Sequence, residues 1–141
     1  MHKVVIDTNI FVSGLATTNT PPGRILDLWR QGLFVLVTSQ QLLTEVEEVL
    51  GRSEIMAFTG LSLEEIQAFL QHIRERSVIT KGEYFLEPLI SDPDDTIVLQ
   101  AAVEGNASHI VTGDKKSLLP LKEFQNITIV SPQDFLFLFQ R

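Results

Sequence analysis

No cysteine occurs in the 141 residues, which excludes disulfide scaffolds, thiolate zinc sites and cysteine nucleophiles. Basic charge is scarce too. Eleven Lys and Arg stand against eighteen Asp and Glu, a formal net charge of −7, so a broad electropositive face for non-specific duplex binding is not expected and any contact with nucleic acid has to be local. Long apolar runs are also missing. The longest, Leu33 to Val37 and Phe135 to Phe139, fall far short of a membrane span, and the amino-terminal Val-Val-Ile is interrupted at Asp7, too soon for the apolar region of a signal peptide. The expectation is a soluble, cytoplasmic protein that engages no membrane. The three histidines, His2, His72 and His109, have no ligand-like spacing; His72 reads as a helix-surface residue and His109 as a strand residue.

What is present suits one domain over residues 1–141, since 44% hydrophobic and 8% aromatic residues are enough for a packed core at this length. No internal repeat or low-complexity tract divides the chain, and Pro21-Pro22-Gly23 reads as a turn entering a helix. Short β-branched or apolar runs alternate with longer segments of helical period, the pattern of a parallel sheet flanked by helices. The runs predict strands at Val4 to Asp7, Phe34 to Thr38, Ser108 to Thr112 and Ile127 to Val130, with a weaker one near Val78. Helix punctuation agrees: Pro22 opens and Gly32 closes one helix, Ser62 and Glu65 form a capping box, Gly105 follows a helix, and Ser131-Pro132 begins the last. The expected fold is an α/β sandwich with a central parallel sheet of about four to five strands.

In such sheets chemistry gathers at the carboxyl ends of the strands, and acids stand there. Asp7 ends the first strand, and Asp114 follows the strand Ser108 to Thr112 after one glycine. Each alone reads as a polar turn residue, although a carboxylate directly after Val-Val-Ile is costly without a compensating partner. Asp92, Asp94 and Asp95 open a helix, where Asp followed by Pro is a favoured start and acids complement the helix dipole. Counting from Asp95 at helical spacing reaches Val98, Leu99 and Ala102, so Asp95 tops a buried stripe and points into the crevice. A further helix carries Leu42, Leu43, Val46, Val49 and Leu50 on its core face, with Glu45 and Glu47 on the two flanks and Glu48 opposite; periodicity does not choose between the flanking glutamates.

Four segments thus deliver carboxylates toward one edge, with no Ser, His or Cys constellation in competition. Carboxylates about 5 Å apart repel by roughly 3 kcal/mol per pair at an effective dielectric near 20. Protons or hard divalent cations such as Mg²⁺ or Mn²⁺ are the compensation.

These segments resemble the PIN-domain ribonucleases, and within them the small bacterial and archaeal toxins of toxin–antitoxin pairs. VVIDTNIFVSGL resembles the opening strand with the first acid, Asp7, supported by Asn9 and Ser13. SQQLLTEVEEVL resembles the helix with the second acid, and its pattern selects Glu45. SDPDDTIVLQAAVEG resembles the segment with the third acid, Asp95, with Asp92 as accessory. HIVTGDKKSLL resembles the strand and turn with the fourth, Asp114, beside Thr112, and ITIVSPQDFL closes the pattern. The family often has another acid two residues past the fourth, where this chain has Lys116.

The resemblance implies hydrolysis of single-stranded RNA with one or two Mg²⁺ or Mn²⁺ ions held by Asp7, Glu45, Asp95 and Asp114, and as partners a cognate antitoxin and a second copy of the chain. Arg24, Lys115 and Lys116 are the candidate cations for contacts to the RNA backbone. Trp29 and Phe69 are weighed as a docking face and assigned to the core. Two other readings stay open: a haloacid-dehalogenase-like phosphohydrolase, whose usual second Asp is Asn9 here, and a PIN-like binding or regulatory module without catalysis.

Overall fold

Val4, Val5 and Ile6 are buried on both sides, and this uninterrupted apolar run forms the centre of a sheet covered on both faces. The computed structural model describes residues 1–84 and 93–139. In chain order its elements are β1 (Lys3–Ile6), α1 (Thr8–Ala16), α2 (Pro21–Arg30), β2 (Val35–Ser39), α3 (Gln40–Leu50), α4 (Ser53–Thr59), α5 (Leu63–Arg76), β3 (Val78–Thr80), α6 (Pro93–Glu104), β4 (His109–Val111), β5 (Glu123–Phe124), β6 (Ile127–Val130) and α7 (Pro132–Leu136).

The six strands are ordered β3-β2-β1-β4-β6-β5. All neighbours run parallel except β5, which pairs antiparallel with β6. The five parallel strands are those expected from the sequence. Alternate side chains feed two cores, because successive residues of a strand point to opposite faces. Val4, Ile6, Leu36 and Val111 pack with apolar residues of α1, α2, α3, α5 and α7, whereas Val5, Val37 and Ile110 pack with Val98, Leu99, Ala101 and Ala102 of α6. Trp29 and Phe69 meet edge-on with centroids 6.4 Å apart in the first of these cores.

Local chemistry sets the helix ends. Thr20 caps α2 with Pro21 and Pro22 in its first turn, Ser62 and Glu65 complete a capping box on α5, and Ser131 caps α7 before Pro132. Gly32 adopts φ 78° past the end of α2, a conformation that costs glycine little. At Gly105 the constraint is space, since a Cβ there would stand 2.4 Å from Val37 Cγ1.

Three elements were not read from the sequence: helix α1, which follows β1 directly, helix α4 and strand β5. Helix α4 buries none of its residues fully, so it carries no long apolar stripe, and β5 has only two residues. Among the described residues no helix is long and apolar enough to cross a membrane.

The order places a topological switch at β1. The chain leaves β1 toward β2 and β3 on one side and later returns to β4 and β6 on the other, and such a reversal opens a crevice at the carboxyl ends of the diverging strands. Asp7 follows β1 at this crevice and Thr112-Gly113-Asp114 follows β4.

Candidate functional site

Strand β1 passes into α1 without a loop. The Asp7 N–H still donates to Val111 O of β4 at 3.0 Å, while the Asp7 carboxylate caps α1 by accepting from the Thr8 N–H at 2.8 Å. The capping role is therefore real, but it occupies only Oδ1. Asp7 Oδ2 accepts from the Thr112 hydroxyl at 2.7 Å, a contact made possible by the parallel register of β1 and β4. Thr112 Oγ1 also accepts from the Asp114 N–H at 3.0 Å, so one buried hydroxyl ties the end of β1 to the turn after β4.

The second acid is fixed in a similar way. Strand β2 turns directly into α3, with Ser39 Oγ capping the Leu42 N–H at 3.2 Å, and this sets the rotation of α3 against the sheet. Glu45 comes to face α1, where its Oε2 accepts from the buried Thr8 hydroxyl at 2.7 Å. Glu47 instead accepts from Gln67 Nε2 on α5 at 2.9 Å. The ambiguity that periodicity left is resolved by these two partners.

From α6, Asp95 is buried at the top of the Val98, Leu99 and Ala102 stripe. The Ser117 hydroxyl contacts its Oδ2 and also stands 2.6 Å from Asp114 Oδ2. Asp114 Oδ1 accepts two backbone N–H groups, from Lys116 at 3.0 Å and from Ser117 at 3.2 Å. Asn9 Oδ1 accepts from the Gly113 N–H at 3.2 Å and so fastens α1 to the same turn.

These side chains line one cavity of about 530 Å³, whose walls include Asp7, Glu45, Asp94, Asp95 and Asp114 together with Asn9 and Ser13. The apolar part of the wall comes from Val12, Val49 and Ile55, so Val49, expected on the core face of its helix, borders the cavity instead. No Lys or Arg lies among the described lining residues.

Charge is distributed unevenly over this wall. Burial pushes the Asp7 carboxyl above its ordinary range; the Thr112 and Thr8 hydrogen bonds oppose this, and the charges of Asp114 and Asp94 add to it. Glu45 is raised as well, first by burial and then by Asp94 and Asp7, against the Thr8 hydrogen bond. Asp114 behaves in the opposite sense. Its burial is the largest single influence and resists ionisation, but donation from the Ser117 hydroxyl and from the Lys116 and Ser117 N–H groups, with a side-chain hydrogen bond shared with Asp95, outweighs it and holds the carboxyl at about 2.

The donors are all oxygen, which suits a hard divalent cation. Among the described residues no group of three or more Asp, Glu or His side chains is arranged to hold a metal ion as it stands. The fit is therefore one of donor chemistry and shared placement.

A PIN-domain family model matches residues 3–116. The chain belongs to the PIN-domain family. A relative at 30% identity over 147 aligned positions, covering 99% of this chain and 92% of that protein, is an uncharacterized protein of Methanocaldococcus jannaschii. One chain of the crystal structure of VapBC2 from Rickettsia felis bound to a DNA fragment from their promoter shares the fold. That match has a TM-score of 0.59 at 18% identity and covers 92% of this chain and 98% of that one.

In this PIN domain the cavity brings together Asp7, Glu45, Asp95 and Asp114, with Asn9 and Ser13 on its wall and Thr112 bonded to Asp7. Asp92 lies outside the described residues. Arg24 does not reach this cavity; it borders another, of about 350 Å³, with Asp27, Leu28, Gln133 and Phe139, because Pro21 and Pro22 start α2 on a different edge of the fold. Lys115 and Lys116 are exposed on the Asp114 turn. Reading the sequence missed three participants. Asp94 is a fifth carboxylate at the wall, contributed by α6 rather than by the position that Lys116 occupies. Thr8 and Ser117 are hydroxyl partners of the acids, and such partners have no spacing signature because they act across elements.

Proposed function

We propose that this PIN domain is a divalent-cation-dependent ribonuclease that hydrolyses phosphodiester bonds of single-stranded RNA, acting as the toxin of a toxin–antitoxin pair. The observation that carries this reading is the wall of carboxylates around one cavity, five among the described residues, drawn from the end of β1, α3, α6 and the turn after β4. Membership of the PIN family supports nuclease chemistry. Likeness in fold to a chain of the VapBC2 complex supports an antitoxin partner.

Asp7, Glu45, Asp95 and Asp114 would hold one or two Mg²⁺ or Mn²⁺ ions, with Asp94 beside them. The cation, when bound, supplies Lewis acidity for phosphodiester hydrolysis. The protein's own part is to fix the carboxylates. Thr112 holds Asp7, Thr8 holds Glu45, and the Lys116 and Ser117 N–H groups hold Asp114 ionised. Two divalent ions would offset four of the five negative charges that the wall carboxylates carry when ionised, which would let an acidic crevice accept a phosphate. A phosphohydrolase with an aspartyl nucleophile is less well supported, since Asn9 stands where its second Asp is needed and is committed to the Gly113 N–H.

The test is cleavage of mixed-sequence single-stranded RNA with Mg²⁺, with Mn²⁺ and with chelator. Cleavage should require the cation and fall to background in Asp114→Asn, whose melting curve should remain cooperative. Full activity in chelator, or an unchanged rate in the variant, would sink the proposal.

A further inference from the structure

Among the described residues, the hydroxyls of Thr8, Thr112 and Ser117 touch carboxylates of the cavity, and they differ in what they join. Thr8 serves Glu45 and Thr112 serves Asp7, one carboxylate each. Ser117 touches two, Asp95 Oδ2 from α6 and Asp114 Oδ2 from its own turn. A serine hydroxyl carries one proton and donates to one acceptor at a time, so its reach to both spans the gap between the two carboxylates with two short contacts. Asp95 and Asp114 belong to elements that no strand pairing joins, since α6 packs on one face of the sheet and the turn follows β4. Asp114 has two further donors on its other oxygen, the Lys116 and Ser117 N–H groups. Those bonds fix it within its own turn; its ties to Asp95 are the Ser117 hydroxyl and a hydrogen bond between the two carboxyl groups.

We propose that Ser117 is a positioning residue for the cation, its hydroxyl holding the Asp95 and Asp114 carboxylates at the spacing from which they close on one ion. The inference deepens the metal-dependent reading and rests on it. A direct hydrogen bond between the two acids needs a proton that a bound cation displaces; the two groups are then both anionic and repel, and the Ser117 hydroxyl is the neutral donor left between them. Partners that orient ligands in this way typically change metal affinity by about ten- to a hundredfold when removed. The effect belongs to the hydroxyl rather than to the volume of the side chain, which gives the proposal a discriminating control.

Titration calorimetry with Mn²⁺ alone, on the whole chain, supplies the test without relying on activity. Wild type should saturate, Ser117→Ala should bind about ten- to a hundredfold more weakly, and Ser117→Thr, which keeps the hydroxyl, should recover most of the affinity. Melting without metal reports whether Ser117→Ala is folded. Should it melt far below wild type, Ser117→Cys takes its place, because a thiol fills the space but donates weakly. Equal Mn²⁺ affinity in the hydroxyl-less variant and wild type would overturn the role of Ser117 and leave the nuclease reading intact, as would a Thr variant no better than Ala. Absence of Mn²⁺ binding by wild type would overturn both.

Discussion

The two edges of the acidic cavity shift the proton affinity of the same functional group in opposite directions. On the inner edge, Asp7 and Glu45 lie against the ends of β1 and α3, and burial with neighbouring acids raises both carboxyls. On the outer edge, Asp114 sits on a turn whose N–H and hydroxyl donors hold it at about 2. Asp7 and Glu45 are therefore harder to ionise than ordinary carboxyls, and Asp114 is ionised throughout the neutral range. A cation approaching such a site meets the Asp114 charge on the exposed turn and, deeper in, carboxyls whose ionisation burial opposes. Backbone N–H groups sort the two edges: the outer turn points two at one oxygen, and the inner acid has one, spent on the α1 cap.

The largest effect on stability should come from cutting the tie between the edges. Thr112 is fully buried, donates to Asp7 and accepts from the Asp114 N–H. Thr112→Val keeps the shape and removes both bonds, leaving a buried carboxylate and an N–H to find other partners. We expect a loss of about 2 kcal/mol, or roughly 6 °C for a chain of this size, read by thermal denaturation without metal. A shift under about 1 °C would mean that water replaces the hydroxyl and that the edges are not mechanically joined.

Metal should act next most strongly, and differently on the two acids. An ion at ten times its dissociation constant stabilises the folded state by about 1.4 kcal/mol, a rise of about 4 °C. Wild type should show this with Mg²⁺ or Mn²⁺, and Asp7→Asn should lose most of it. Without metal the same variant should melt at or above wild type, because an amide escapes the burial and repulsion that burden the Asp7 carboxylate. Equal metal responses in matched melting curves would remove Asp7 from the ligand set.

The pH dependence gives the comparison a sign. A carboxyl whose folded value is raised binds its proton more tightly when folded, so its contribution is greatest below the ordinary carboxylate range and is lost as pH rises through the raised value. Asp7 and Glu45 are of this kind. Asp114 is the reverse: its contribution is present above the ordinary value of 3.8 and is lost as pH falls toward about 2. In metal-free melts from about pH 4 upward, wild type should lose ground steadily against Asp7→Asn. A pH-independent difference between the two proteins would show that the raised proton affinity of Asp7 is not felt by the fold.

What the sequence made legible follows from the range over which each signal acts. The five parallel strands and the helix caps are local patterns of apolar alternation and backbone chemistry, and Asp7, Asp95 and Asp114 stand beside such patterns. Asp95 could be aimed because Val98, Leu99 and Ala102 fix the buried side of α6. The hydroxyls of Thr8, Thr112 and Ser117 act on acids up to 105 residues away in sequence, and no local spacing encodes a contact of that separation. The resemblance alone brought Thr112 to notice, as a neighbour of the fourth acid. Asp94 was passed over because its helical position is one residue off the buried stripe, yet the first turn of α6 opens on the cavity and admits both acids.

The smallest expected effect tests the frame on which the inner edge is built. Residues two apart on a helix point about 200° apart, so Glu45 and Glu47 cannot both face the cavity. Glu45 reaches Thr8 and Glu47 reaches Gln67 on the exposed side of α5. Glu47→Gln preserves a hydrogen-bonding group at a solvated position and should change stability by no more than about 0.5 kcal/mol, with metal response and cleavage unaltered. Glu45→Gln, of identical chemistry two residues earlier, should lose the metal response. If melting with and without Mn²⁺ gave the reverse result, α3 would have to be rotated by half a turn, which would put Leu42, Leu43 and Val46 into water and leave the sheet face they cover bare. A null result for both variants would instead leave α3 in place and confine the cation to the Asp7, Asp95 and Asp114 side of the cavity.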